Sequence, residues 1–375
     1  MQINNCTYSG FACFENKVWY ITQNDNLLME MDIITHELEC LGKIPNTDAI
    51  LSYRKVFYRK GVLYLIPYNA QDICKYELKS GKFSFLDILR KYSSKYKYLF
   101  GIIEFGNEII LYGLQTEIYR VDLDSYKVKV YQVRNKGESC FWQDGIIYEG
   151  KLILPFNKQI MLAVVDLNQN DTQYVQMDVE VSNVILQMFF YEKQNLYSVI
   201  IDSMWRIHVI NINIKDLTVI SHNVYRNLVN DRVTHQNVPF QCGFIQNEKI
   251  ILLPARQTET CVIDLKLNEC INAKLLPVID GNTALSQNNY PFNYFNIVYV
   301  KSEKLFFSIN WEMEKMITID SDTLDVQEYD IAYKEISAKQ YAQTINQIVH
   351  CSNILYEKDH FMDLEDYIEL LSIEK

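Results

Sequence analysis

Imidazoles and carboxylates gathered in one place can move protons. In this chain, His222 and His235 with Asp231 and Asp280 are the groups positioned for such chemistry. All four fall in two long polar stretches, 221–242 ("SHNVYRNLVNDRVTHQNVPFQC") and 275–295 ("LLPVIDGNTALSQNNYPFNYF"). The other histidines stand apart: His36 in a turn, His208 inside a strand pattern, and His350 and His360 near the end of the chain. Two loop histidines are equally the ordinary content of a solvated surface. No GxSxG elbow, glycine-rich phosphate loop, HxH or HExxH accompanies them. The weight therefore falls on binding rather than catalysis, and neither a metal nor a cofactor is expected. The stretch 320–325, "DSDTLD", has the acidic spacing of a calcium loop without its central glycine or closing glutamate, and reads as a turn.

A second set of side chains suits recognition. Tyr53, Phe100, Trp142, Phe240, Tyr294 and Phe295 stand near the starts of apolar strand patterns, with the polar neighbours Arg54, Gln143, Gln241 and Asn296. Aromatic faces beside polar groups grip peptides and sugars, so these residues are expected to ring a binding surface. The competing expectation is that the rings pack inside.

Composition limits the partners. The chain of 375 residues carries a net charge of −11, so no basic face is available for a nucleic acid or an anionic membrane. The most basic stretch, "LRKYSSKYKYLF" at 89–100, reads as a solvated loop. No apolar run approaches the ~20 residues of a membrane span, and the first residues resemble neither a secretion signal nor a transit peptide. Nine scattered cysteines with no CxxC pair suit reduced thiols and a cytoplasmic protein. An Ile-, Asn-, Lys- and Tyr-rich composition hints at a bacterial source.

The elements that must position these groups are visible as a repeat. "LYLIPYNAQDICKYEL" (63–78) returns as "KLILPFNKQIMLAVVDL" (151–167) and "IILLPARQTETCVIDL" (250–265). The apolar–Asp–apolar close of each stretch recurs at Asp32, Glu77, Asp122, Asp166, Asn211, Asp264 and Asp320 (Glu or Asn substituting), giving seven copies about 45–56 residues apart. Each copy divides into four strands. The third gives strand A "FGIIEFG" (100–106), B "NEIILYGL" (107–114), C "TEIYRVDL" (116–123) and D "KVKVYQV" (127–133), with two-residue turns such as Gly106-Asn107 joining the first pair. Pro67, Pro155 and Pro254 punctuate the second strands, where they leave the ladder. In this period and strand number the chain resembles the β-propeller superfamily, without WD40 or kelch signatures. The resemblance implies an all-β, seven-bladed propeller over 1–332 whose members mostly bind other proteins. Each blade is expected to be complete within itself, with residues 2–7 available as an extra edge strand. Protein or peptide binding through the face of the D–A connectors, especially 221–242 and 275–295, is the expected role. The alternative is a small-ligand or carbohydrate-binding protein or enzyme working at the channel mouth.

Residues 333–375 change character. Ile336, Tyr341, Ile345, Ile348 and Val349, then Leu364, Tyr367, Ile368 and Leu371, recur at helical spacing. This predicts a short C-terminal α-helical appendage that packs on the propeller or docks a partner.

Overall fold

The computed structural model describes residues 6–7, 10–22, 26–47, 52–92, 99–113, 117–133, 145–155, 160–169, 171–181, 183–225, 240–254, 260–273, 297–310 and 315–333. The chain divides into two compact units, Met1–Lys334 and Glu335–Lys375. The expected helical appendage lies outside the described residues.

The repeated acidic residue has a local job. Asp122 Oδ1 accepts the backbone N–H groups of Asp124 (3.0 Å) and Ser125 (2.6 Å). Asp32, Asp166, Asp264 and Asp320 make the same pair of bonds two and three residues on. A carboxylate that holds its own turn ends one strand and starts the next. Four residues after the repeat position the backbone is left-handed in six copies: His36 (φ 61°), Gly81 (65°), Tyr126 (56°), Leu217 (60°), Asn268 (56°) and Leu324 (64°). The same register puts Asn213, not Asn211, in the fifth copy, and Asn213 Oδ1 accepts Lys215 N at 3.1 Å. "DSDTLD" is one of these turns.

The hairpins assemble into seven sheets, each with four antiparallel strands in chain order. With strands lettered A to D, the blades span 12–43, 53–86, 99–132, 146–176, 184–225, 240–273 and 298–330. A four-stranded sheet has two apolar faces and must cover both. Seven separate clusters of buried side chains do this, one at every junction, including blade 7 against blade 1, where Val300, Phe307, Ile309 and Met316 meet Phe11, Val18, Tyr20 and Met31. The clusters close the ring, and the fold is a seven-bladed β-propeller. Each blade is complete, as expected, and two short segments that flank the seven blades in the chain add a fifth strand to blades 6 and 1. Cys6–Thr7 pairs antiparallel with strand A of blade 6, Phe240–Gln246. Ala332–Tyr333 pairs in parallel with strand D of blade 1, Glu37–Lys43, and covers that exposed edge.

Two-residue A–B turns with both residues left-handed join the inner strands. Blades 2 and 4 use Lys60-Gly61 and Glu149-Gly150, whereas blade 5 uses Lys193-Gln194, with Gln194 at φ 71°. A side chain there is strained, and glycine is not. Gln194→Gly is expected to raise stability by about 0.5–1 kcal/mol, read as a higher urea midpoint at unchanged slope.

Candidate functional site

The two ends of the ring differ. Backbone bonds such as Leu78 N to Gly61 O (3.0 Å), Leu167 N to Gly150 O (3.0 Å) and Leu265 N to Glu248 O (2.9 Å) tie each C–D turn to its own A–B turn. The B–C turns and D–A connectors therefore share the opposite end. Strands A of neighbouring blades touch one another, so they line the axis.

At the connector end, strand A breaks its register in the same way in four blades. Tyr53 pairs with Pro67 and Lys55 with Ile66, which leaves Arg54 as an extra residue. Phe100 is the extra residue between Leu99 and Gly101, and Gln241 between Phe240 and Cys242. Residue 185 takes the same place between Val184 and Leu186. Such β-bulges kink a strand and re-aim a side chain, and they concentrate beside functional sites. In blades 2 and 6 the last paired residue of strand B is Pro67 or Pro254, whose missing N–H ends the ladder opposite Tyr53 and Phe240, whereas Gly113 and Asp202 hold that place in blades 3 and 5.

The register corrects the expected aromatic ring. Tyr53 is 3% exposed, in the cluster between blades 1 and 2 with Trp19, Leu28 and Leu65. Phe240 is 1% exposed, between blades 5 and 6 with Met188, Phe190 and Leu252. Both stand one position before a bulge and serve as buried anchors; neither presents its ring to solvent. Arg54, at the bulge, lies with its guanidinium carbon 5.7 Å from the centre of the Tyr68 ring. Trp142, Gln143, Tyr294, Phe295 and Asn296, together with Asp231, His235 and Asp280, lie outside the described residues.

His222 also moves. It belongs to strand D of blade 5, Val219–Tyr225, rather than to the connector that follows. Across the sheet its Nε2 lies 3.1 Å from Nδ1 of His208, and His208 Nε2 lies 3.1 Å from Oδ2 of Asp202. Asp202 ends strand B of this blade and pairs with Val184, beside the bulge at 185. Its side chain is fully buried. Oδ1 accepts the N–H groups of Met204 and Arg206, each at 2.9 Å, and Oδ2 also accepts Arg206 Nε at 2.7 Å. Burial opposes the charge on Asp202, yet the bonds from Arg206, His208 and Met204 hold its carboxyl below the usual carboxylate range. An ionised Asp202 accepts from His208 Nε2–H, leaving His208 Nδ1 to accept from His222 Nε2–H. The chain of bonds thus fixes both tautomers and leaves Nδ1 of the half-buried His222 as its basic end. The same carboxylate shapes the turn 203–206, which holds Trp205 at φ 59° and exposes Met204. Residue order places His208 inside a strand and gives Asp202 no role, because their partners are set by strand pairing: Ile210 falls opposite His222, which makes His208 and His222 diagonal neighbours on one face.

Burial first, and then the neighbouring His208, lower the affinity of His222 for a proton. The unfolded chain binds that proton more readily, so stability falls as pH drops below the ordinary imidazole value of about 6.5. His222→Gln is expected to flatten this loss between about pH 6.5 and 5, followed as the unfolding midpoint against pH.

Among the described residues, no group of three or more His, Cys, Asp and Glu is arranged to hold a metal, and no helix is long and apolar enough to cross a membrane. The computationally designed Ika8 protein, a crystal structure, is similar over 88% of this chain and 91% of its own, with a TM-score of 0.52 and 10% sequence identity. That likeness concerns the fold alone. No protein-family model and no curated protein matches the chain.

Proposed function

We propose that this propeller is a scaffold that binds a protein or peptide at the connector end of its axis. The observation that carries the reading is the recurrent bulge of strand A at Arg54, Phe100, residue 185 and Gln241. A regular blade needs no bulge, and four at one level set extra residues around the mouth of the channel. The exposed Met204 and the strained Trp205 stand at the same end of blade 5. The chain is acidic overall, so a basic or uncharged segment is the favoured occupant. Captures from host extract with the tagged chain and with an Arg54→Ala/Gln241→Ala variant, compared by quantitative mass spectrometry, test this. The expected result is one protein recovered in near-equal amount by the parent and lost by the variant at unchanged thermal stability. Equal capture by both would remove the bulges from the site. We further propose that the partner is met in the cytoplasm.

A second reading, a small-ligand site or an enzyme, is favoured by the Asp202–His208–His222 chain, which runs outward from strand B to strand D of blade 5, because an oriented basic nitrogen is what general-base chemistry uses. A panel of sugars and metabolites screened by thermal shift separates the two: stabilisation that disappears in His222→Gln supports this second reading.

A further inference from the structure

Two thiols in blade 6 are placed for a bond that they have not formed. Cys261 lies in strand C, Thr260–Asp264, and Cys270 in strand D, Glu269–Ala273. Cys261 pairs with Asn272 and Ile263 with Cys270, so the cysteines are diagonal neighbours on one face of the hairpin. Their sulfurs are 3.3 Å apart. Cys261 is wholly buried in the junction with blade 5, whereas Cys270 is only half-buried at its edge. By comparison, Cys13 Sγ lies 3.4 Å from the carbonyl oxygen of Tyr299 and Cys74 Sγ lies 3.8 Å from that of Lys75.

We infer that Cys261 and Cys270 are a modification site, oxidised by a hydroperoxide to a reversible cystine. Solvent reaches Cys270, so its sulfur attacks the peroxide: an S–O bond forms, the O–O bond breaks, and water or an alcohol leaves. The resulting sulfenic acid sits against Cys261. The Cys261 sulfur attacks it, the S–S bond forms, the S–O bond breaks, and the departing oxygen takes the Cys261 proton as water. Two thiols lose two electrons and the peroxide gains them. The sulfurs must close from 3.3 Å to about 2.0 Å, which draws strand D against strand C. That hairpin is also where blade 5 is held, because Tyr225 donates its hydroxyl to Asn268 Oδ1 at 2.7 Å in the turn between the cysteines. Oxidation would therefore be felt at the junction of blades 5 and 6. The inference is independent of the binding role proposed above.

Full-length reduced protein treated with hydrogen peroxide provides the test. The expected result is an intact mass lower by two hydrogens and restored by dithiothreitol. Lys266 lies between the cysteines, so trypsin separates them in the reduced chain and only a cystine keeps their peptides together. In Cys261→Ser the reaction is expected to stop at a Cys270 sulfenic acid that dimedone traps. Over-oxidised Cys270 beside a still alkylatable Cys261, or a bond from either to another cysteine, would overturn the inference. Should the variant not fold, the digest of the parent chain decides alone.

Discussion

Asp202→Ala is expected to lower the stability of the propeller by about 3–5 kcal/mol, the cost of removing one partner from a buried charged network. The magnitude follows from what the carboxylate holds. Its side chain is fully buried, and it accepts from Met204 N, Arg206 N, Arg206 Nε and His208 Nε2. Alanine leaves all four donors without that partner, and His208, 2% exposed, has no route to water. Asp202→Asn keeps an oxygen for the two amides but turns an N–H₂ toward donors, so an intermediate loss of about 1–3 kcal/mol is expected. Urea unfolding of the three chains at neutral pH gives both differences. A loss below about 1 kcal/mol in Asp202→Ala would mean that the turn 203–206 holds itself and that the carboxylate is kept for its effect on His222.

Phe240→Ala carries an expected loss of similar size for a different reason. The ring is 1% exposed in the junction of blades 5 and 6, and truncating a buried phenylalanine costs about 3–5 kcal/mol through lost burial and the cavity left behind. Tyr53→Ala should behave alike between blades 1 and 2, where burial pushes its phenol well above the ordinary value. Arg54→Ala, at the adjoining bulge, is expected to stay within about 1 kcal/mol of the parent. Thermal and urea unfolding of the three variants separate anchor from bulge. If Phe240→Ala and Tyr53→Ala folded with full stability, the two rings would not be the junction packing that their burial indicates.

These contrasts show where sequence reasoning stopped. Alternation of apolar and polar residues, a carboxylate that holds its own turn, and paired turn residues are local, and each acts within a few residues. They suffice for seven hairpin pairs, and for strand limits as close as Leu99–Phe105, Glu108–Gly113, Glu117–Asp122 and Val128–Gln132 in blade 3. Even the slip from Asn211 to Asn213 is local, a shift of two residues at one strand end. At the starts of strands A the residue order leaves two expectations open for Tyr53 and Phe240, a surface ring or packing inside, and only their burial decides for the second. A bulge shifts the pleat by one residue, and a one-residue shift moves a side chain from solvent to core.

The repeat, the turns and the all-β ring are legible in the order of the residues, because they follow from short-range backbone preferences and from the need to cover both faces of each sheet. Tertiary structure alone decided which residues meet. Asp202 joins His208 and His222, and Cys261 approaches Cys270, through strand register; Cys6–Thr7 reaches blade 6, and Ala332–Tyr333 reaches blade 1, through closure of the ring. The first two contacts depend on the register of adjacent strands and the last two on pairing between segments far apart in the chain, and neither leaves a periodic trace in the order of the residues.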